Sequence, residues 1–291
     1  MSETNQRQSP RLILSLPQRL LLLACIFIVC YVITAVLGLF VSKIAGGVTV
    51  ASVRISTILQ DLVLFIVPAL ATSMIITRRP AEFLCLMGRP KISIVLMVIA
   101  AMLAVIPAEE FIVQWNANLS FPEFMSGFEK WARNLEELSQ GVINEMLQDT
   151  SVASLAVNFL IIGVAAGFSE EILFRGCFQR LLTTGGVNHH VAIWTVAVIF
   201  SAMHFQIFGF VPRTLLGAFF GYLLVWTGKL WVPVIAHIFN NSLYVFTAWY
   251  MLRQNPGVEL ENESVHFPVW VAAVGILVFS RLLQEIYKRR T

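Results

Sequence analysis

The chain has 291 residues, 57% of them hydrophobic and 13% charged, and a mean hydropathy of +0.77. A soluble domain carries about a quarter charged residues and a disordered chain needs low hydrophobicity with high charge, so both classes are excluded. The net charge of +3 calls for no nucleic-acid partner. In a chain this apolar, surplus Lys and Arg mark loops on the cytoplasmic side of a membrane.

A helix needs about 20 mainly apolar residues to cross the hydrocarbon core. Eight stretches qualify, at about 20–41, 58–77, 92–112, 153–182, 190–209, 211–228, 231–251 and 268–284. The sequence therefore predicts an all-α polytopic membrane protein, residues 1–291 forming one integral membrane domain without internal repeats. The first stretch is too long for the apolar region of a secretion signal and reads as a retained helix. With the N-terminus inside, thirteen Lys and Arg fall on inner segments, Arg7, Arg11 and Arg290 among them, against six on outer ones, including Lys43, Arg54 and Arg213. That bias predicts both termini in the cytoplasm. Cys25, Cys30, Cys85 and Cys177 form no CxxC pair and read as small buried hydrophobes. The one long polar segment, 113–150, is placed outside. Leu135, Leu138, Val142, Met146 and Leu147 recur there at helical spacing, which predicts an amphipathic helix, either on the membrane surface or capping the bundle.

Ionisable side chains inside spans are costly and point to function. The fourth stretch contains GFSEEILFRGCFQ. Glu171 and Arg175, four apart, share a helical face suited to an ion pair. Glu170 points about 100° away with no cation at helical spacing, which suits a group exchanging a proton near neutral pH. The fifth stretch carries Phe200 and His204 one turn apart, and the seventh carries His237 and Asn241 on one face. Glu171 lies 16 residues before Val187 in the turn joining spans four and five, and His204 lies 17 after it. An antiparallel hairpin then brings them to one height, and His237 joins them if the hairpin protrudes about 10 Å beyond the start of span seven. A carboxylate and an imidazole that deprotonate water, with a second imidazole and an amide that donate to an oxyanion, are the equipment for hydrolysing an acyl or peptide bond. Zinc held by Glu170, His204 and His237 is the alternative way to activate the water, although HExxH is absent.

These motifs resemble the CPBP family of intramembrane proteases, which groups type II CAAX prenyl endopeptidases with bacteriocin-processing and self-immunity proteins. EExxxR is matched by Glu170, Glu171 and Arg175, FxxxH by Phe200 and His204, and HxxxN by His237 and Asn241. All three occur in order over about residues 153–250, the expected catalytic core. The resemblance implies Glu170 as the base that activates water and His204 as a group binding that water. It gives His237 and Asn241 to the oxyanion, with Glu171 and Arg175 positioning the first motif and Phe200 packing beneath His204. It implies a glutamate-dependent mechanism without a required cofactor, zinc remaining possible. The implied partners are a peptide or membrane-tethered protein substrate and the lipid bilayer, and the implied location is a bacterial cytoplasmic membrane. The competing readings are a non-catalytic immunity or scaffold protein and a proton-coupled transporter.

Other polar residues read as structural. Gln60 and Asp61 are expected at the outer mouth of span two, Glu109 and Glu110 at the outer end of span three, and His189 and His190 in the hairpin turn. Asn158 is expected to hydrogen-bond between helices, and Gly217 and Gly221 to permit close packing. Pro68, Pro107 and Pro233 are expected to kink or end helices.

Overall fold

The computed structural model describes residues 14–255 and 266–289, and every regular element among them is helical. Arg7, Arg11 and Arg290, counted toward the orientation, lie outside the described residues. The main helices are α1 (Leu16–Ile44), α2 (Val50–Ile76), α3 (Ile92–Ala117), α4 (Ser126–Leu147), α5 (Val152–Thr184), α6 (His189–Ala202), α7 (Phe210–Thr227), α8 (Trp231–Gln254) and α9 (Val269–Lys288). A single turn of helix, Pro80–Phe83, lies between α2 and α3.

Six stretches are long and apolar enough to cross a membrane: α1, α2, α3, α5, α9 and the run Ile207–Thr227 that contains α7. The chain is thus an integral membrane protein. The sequence predicted eight spans, and the two that fall short are α6 and α8. Helix α6 has 14 residues and reaches about 21 Å, short of the roughly 30 Å hydrocarbon core. It stops because the chain turns at Met203–Phe205, where Phe205 adopts a left-handed backbone (φ 55°). Helix α8 has 24 residues, but His237, Asn240, Asn241 and Ser242 lower its hydropathy. Both helices carry candidate site residues, so the polarity that disqualifies α8 as a simple span is the polarity of the site.

Helix α1 is apolar almost all round and buries only Leu23 and Cys30. Leu21, Ile28, Val32, Val36 and Leu39 are all exposed, a surface that a protein in water rarely leaves open and that hydrocarbon covers without cost. Cys25, expected to be buried, is exposed on the same helix.

Helix α5 is the axis of the bundle. The largest apolar cluster gathers Phe174, Cys177 and Leu181 of α5 with Phe65 of α2, Phe200 of α6 and Val234 of α8. Two stretches of α5, Phe159–Ala165 and Ile172–Gln179, are π-helical, and so is Asp61–Ile66 of α2. Such wide turns cluster at functional sites because they redirect side chains within an otherwise regular helix. The α5 pair brackets Ala166–Glu171, the turn carrying both glutamates.

At one end of the bundle, Arg180 donates to the Phe83 carbonyl (3.1 Å) and Lys229 to the Arg89 carbonyl (2.8 Å). Gly176 sits level with Leu230, and Gly185 at the hairpin tip packs against Leu16. Nine helical residues separate Gly176 from Gly185, so the hairpin projects about 13 Å past the start of α8. This is the protrusion needed to bring Glu171 and His237 to one depth.

At the other end α4 lies across α2, α5 and the 207–209 turn. It buries Ala132, Met146 and Leu147 and leaves Trp131, Leu138 and Val142 exposed, so only part of the expected apolar face is spent on the bundle. Outside the spans, the Glu129 carboxyl accepts from the Phe121 backbone N–H (3.0 Å) and pairs with Arg133, which holds it below the usual carboxylate range. Beneath this cap Arg54 donates to Asn158 Oδ1 (3.2 Å), Ser154 Oγ (2.5 Å) and the Met146 carbonyl (3.3 Å). Asn158 donates to the same carbonyl (2.7 Å), the interhelical role expected of it. Substituting Arg54→Met removes three donors while keeping most of the stem volume. It is expected to lower stability by about 1.5–3 kcal/mol, read as a lower melting temperature of the purified protein in detergent.

Candidate active site

The site begins where α5 and α8 approach most closely. Gly167 makes this possible, because a Cβ there would sit 3.0 Å from the Ile238 backbone nitrogen. His237, one residue earlier on α8, is thereby pressed against the glutamate turn. Its Nδ1 lies 2.9 Å from Glu171 Oε1, and its Nε2 lies 3.7 Å from Glu170 Oε2. The first distance is a hydrogen bond; the second is not.

Glu171 and Arg175 form the expected pair, Nη1 to Oε1 at 2.5 Å, and both side chains are fully buried. Arg175 Nη2 donates to the Gly217 carbonyl at 2.9 Å, and one turn further along Gln179 Nε2 donates to the Gly221 carbonyl at 3.0 Å. Gly217 and Gly221 therefore do more than allow close packing. Any Cβ at Gly217 would lie 3.2 Å from Arg175 Nη2, so glycine opens the α7 main chain to the guanidinium. The guanidinium carbon also lies 4.6 Å from the Phe200 ring centroid and 5.5 Å from that of Phe220, where the ring faces attract a cation.

The pairing orders the histidine. A carboxylate only accepts hydrogen bonds, so Glu171, the ion-pair partner of Arg175, takes a hydrogen from His237 Nδ1. Nε2 is then the nitrogen turned toward Glu170. The His237 ring packs against Phe220 (5.1 Å) and Phe200 (5.9 Å), which fixes its plane.

His204 reaches the group by another route. Its Nδ1 hydrogen-bonds the Phe200 carbonyl at 2.8 Å, and its ring sits edge-on to the Phe200 ring at 4.9 Å. Phe200 thus packs beneath His204 as expected and also touches Arg175 and His237. His204 feels the charges of Glu170, His237 and Arg213, so it faces the same space. Asn241 also holds the main chain. Its amide donates to the Ile162 carbonyl at 3.1 Å, which commits one of its N–H groups to the π-helical part of α5.

Two residues enter that the sequence reading placed elsewhere. Asp61, expected at a mouth, is 3% exposed and lies inside the bundle, because α2 starts at Val50 rather than near 58. That puts it eleven residues, about 16 Å, along the helix. The overlooked signal was Thr49, whose side chain accepts from the Ser52 backbone and starts the helix early, ahead of an Arg54 that masks the apolar run. Arg213, counted as an outer-loop cation, lies in the first turn of α7. There its guanidinium donates to Gln206 Oε1 (2.5 Å) and feels Glu170. His189 and His190 are exposed as expected, and His190 Nδ1 meets the Tyr222 hydroxyl at 2.8 Å.

Among the described residues no group of three or more His, Cys, Asp or Glu is arranged to hold a metal ion. Glu171 engages His237 Nδ1, which leaves Nε2 as the ring nitrogen turned toward Glu170.

Residues 152–243 match the family model described as type II CAAX prenyl endopeptidase Rce1-like. This segment is similar to that family. It holds all three motifs, and the match bears out the resemblance read from them. The uncharacterized protein YpbD of Bacillus subtilis (strain 168) is 30% identical over 91 residues, covering 30% of this chain and 43% of that protein. CAAX prenyl protease 2 of Arabidopsis thaliana is 28% identical over 124 residues, covering 36% of this chain and 39% of that protein. The similarity thus spans less than half of either relative. No solved structure matches the chain.

The buried cation is the most exposed point of this design to mutation. Arg175→Ala leaves Glu171 without its cation in low dielectric and is expected to cost about 3–5 kcal/mol. Arg175→Lys, unable to serve Glu171 and Gly217 with one planar fork, is expected to fall between the variant and wild type in thermal stability and yield.

Proposed function

We propose that this protein is an intramembrane endopeptidase, hydrolysing a peptide bond of a membrane-tethered substrate with water activated by Glu170. The observation that carries this reading is the buried relay Arg175–Glu171–His237, which turns His237 Nε2 toward Glu170 Oε2 at 3.7 Å. The relay has the logic of an acid–histidine pair. A buried carboxylate orients the imidazole and stabilises its charged form, whose Nε2–H then donates to the oxyanion as the water attacks. Glu170 takes the water's proton and returns it to the leaving amine. His204 holds the water. Asn241 adds its remaining N–H to the oxyanion.

The reaction takes place toward the end of the bundle carrying Arg19, Arg89, Arg180 and Lys229. By charge this is the cytoplasmic end, with both termini inside and a bacterial cytoplasmic membrane as the setting. The family match at residues 152–243 supports protease chemistry, and the name of the Arabidopsis relative, CAAX prenyl protease 2, supports a prenylated or otherwise tethered peptide as the substrate class.

The test is cleavage of membrane-tethered peptides by the purified full chain in liposomes. Glu170→Ala and His204→Ala are each expected to lower kcat by about 10²–10⁴-fold without loss of monodisperse protein. Failure of the wild type to cleave any member of a tethered peptide library returns the chain to the non-catalytic class. Activity is expected to survive a strong chelator, and abolition that zinc reverses overturns the metal-free mechanism.

A further inference from the structure

Asp61 has a neighbourhood that packing alone does not explain. It is one of few ionisable side chains buried inside the spans, and among the described residues no cation forms an ion pair with it. Its Oδ1 accepts from Ser169 Oγ at 3.1 Å, across the interface of α2 and α5. Its Oδ2 is buried and has no hydrogen-bond partner. Ser169 immediately precedes Glu170, whose Oε2 is likewise buried without a hydrogen-bond partner. The two carboxyl groups feel each other's charge, and the π-helical start of α2's inner half, Asp61–Ile66, packs against Ala166–Glu171.

Two buried carboxyls on adjoining helical turns, each with an oxygen that lacks a donor, are not both satisfied as carboxylates, because each needs a hydrogen to accept. Two like charges at low dielectric also repel, and one of them is neutralised by a proton. A single hydrogen between Asp61 and Glu170 satisfies both orphaned oxygens. The charges around the pair fit this account. Arg175 balances Glu171, His237 Nε2 lies 3.7 Å from Glu170 Oε2, and His204 and Arg213 feel the charge of Glu170.

We propose that Asp61 is a positioning residue of the site: its carboxyl and that of Glu170 hold one proton between them, and Ser169 ties the pair across the α2–α5 interface. The catalytic consequence rests on the protease reading. When water attacks, one of its O–H bonds breaks, the C–O bond forms and the proton passes to Glu170, so the pair holds two. When the C–N bond breaks, one proton leaves on the amine nitrogen and the pair returns to one. Asp61 keeps the second proton from being lost and holds Glu170 in the rotamer that faces the water.

The pair is testable without any substrate. Infrared difference spectra of the full chain in lipid bilayers at neutral pH compare wild type with Asp61→Asn and Glu170→Gln. A carboxylic acid carbonyl band is expected in wild type and should be lost or moved in each variant. An unchanged band in either variant overturns the shared proton. Asp61→Asn keeps an acceptor for the Ser169 hydroxyl, so the fold is expected to survive, and Ser169→Ala serves as a second variant. In the cleavage assay Asp61→Asn is expected to lower kcat about tenfold or more, with KM changed less than about twofold. Unaltered kcat overturns the role of Asp61 even if the wild type is active. A band that responds to both substitutions in a protein that cleaves nothing supports the pair and sinks the protease reading alone.

Discussion

The site hangs on one buried ion pair. Arg175 and Glu171 are both fully enclosed among apolar side chains, where an unpaired charge costs several kcal/mol. That cost makes the surrounding contacts obligatory. The guanidinium needs acceptors beyond Glu171, so α7 must bring the Gly217 carbonyl within hydrogen-bond reach. It needs negative faces, which Phe200 and Phe220 supply. The carboxylate needs donors, so α8 must bring His237. Four helices are thus held to one point by the requirements of two charges.

The same pair separates the two adjacent glutamates into different tasks. Glu171 spends its charge on Arg175 and on ordering His237. Glu170, one residue earlier and about 100° around the helix, lies outside the Arg175 pair. Adjacent identical residues acquire different partners from their surroundings alone. The π-helical segments on either side of the turn set the angle at which both leave the helix, and glycine at 167 lets α8 come close enough for His237 to distinguish them.

Much of this was legible in order along the chain. The Glu171–Arg175 pair follows from spacing of four with Glu first, and it formed. Counting residues on either side of Val187 puts Glu171 and His204 at one height, and His237 joins them if the hairpin protrudes; the contacts of Gly176 and Gly185 bear out the protrusion. Span boundaries were less legible. Helix α2 was started about eight residues late because Arg54 interrupts its hydropathy, and the error moved Asp61 from the interior to a mouth. Arg54 itself is tolerated because α4 and α5 present Asn158, Ser154 and a main-chain carbonyl to it, partners far away in sequence that no local window contains.

Composition and periodicity by themselves determined the class of molecule, the helical spans and the identity of the motifs, because burial in hydrocarbon permits only internally hydrogen-bonded backbone and makes each interior charge conspicuous. They also determined which pairs share a helix face. Only the tertiary structure decided which faces meet. It set His237 on Glu171 rather than on Glu170, turned an Asn241 amide toward the Ile162 carbonyl, and brought Asp61 to the glutamate turn. The reason is that an isolated helix satisfies its own backbone but not its buried side chains. The azimuth of each helix is therefore chosen by distant donors and acceptors, and that choice exists only once the bundle has assembled.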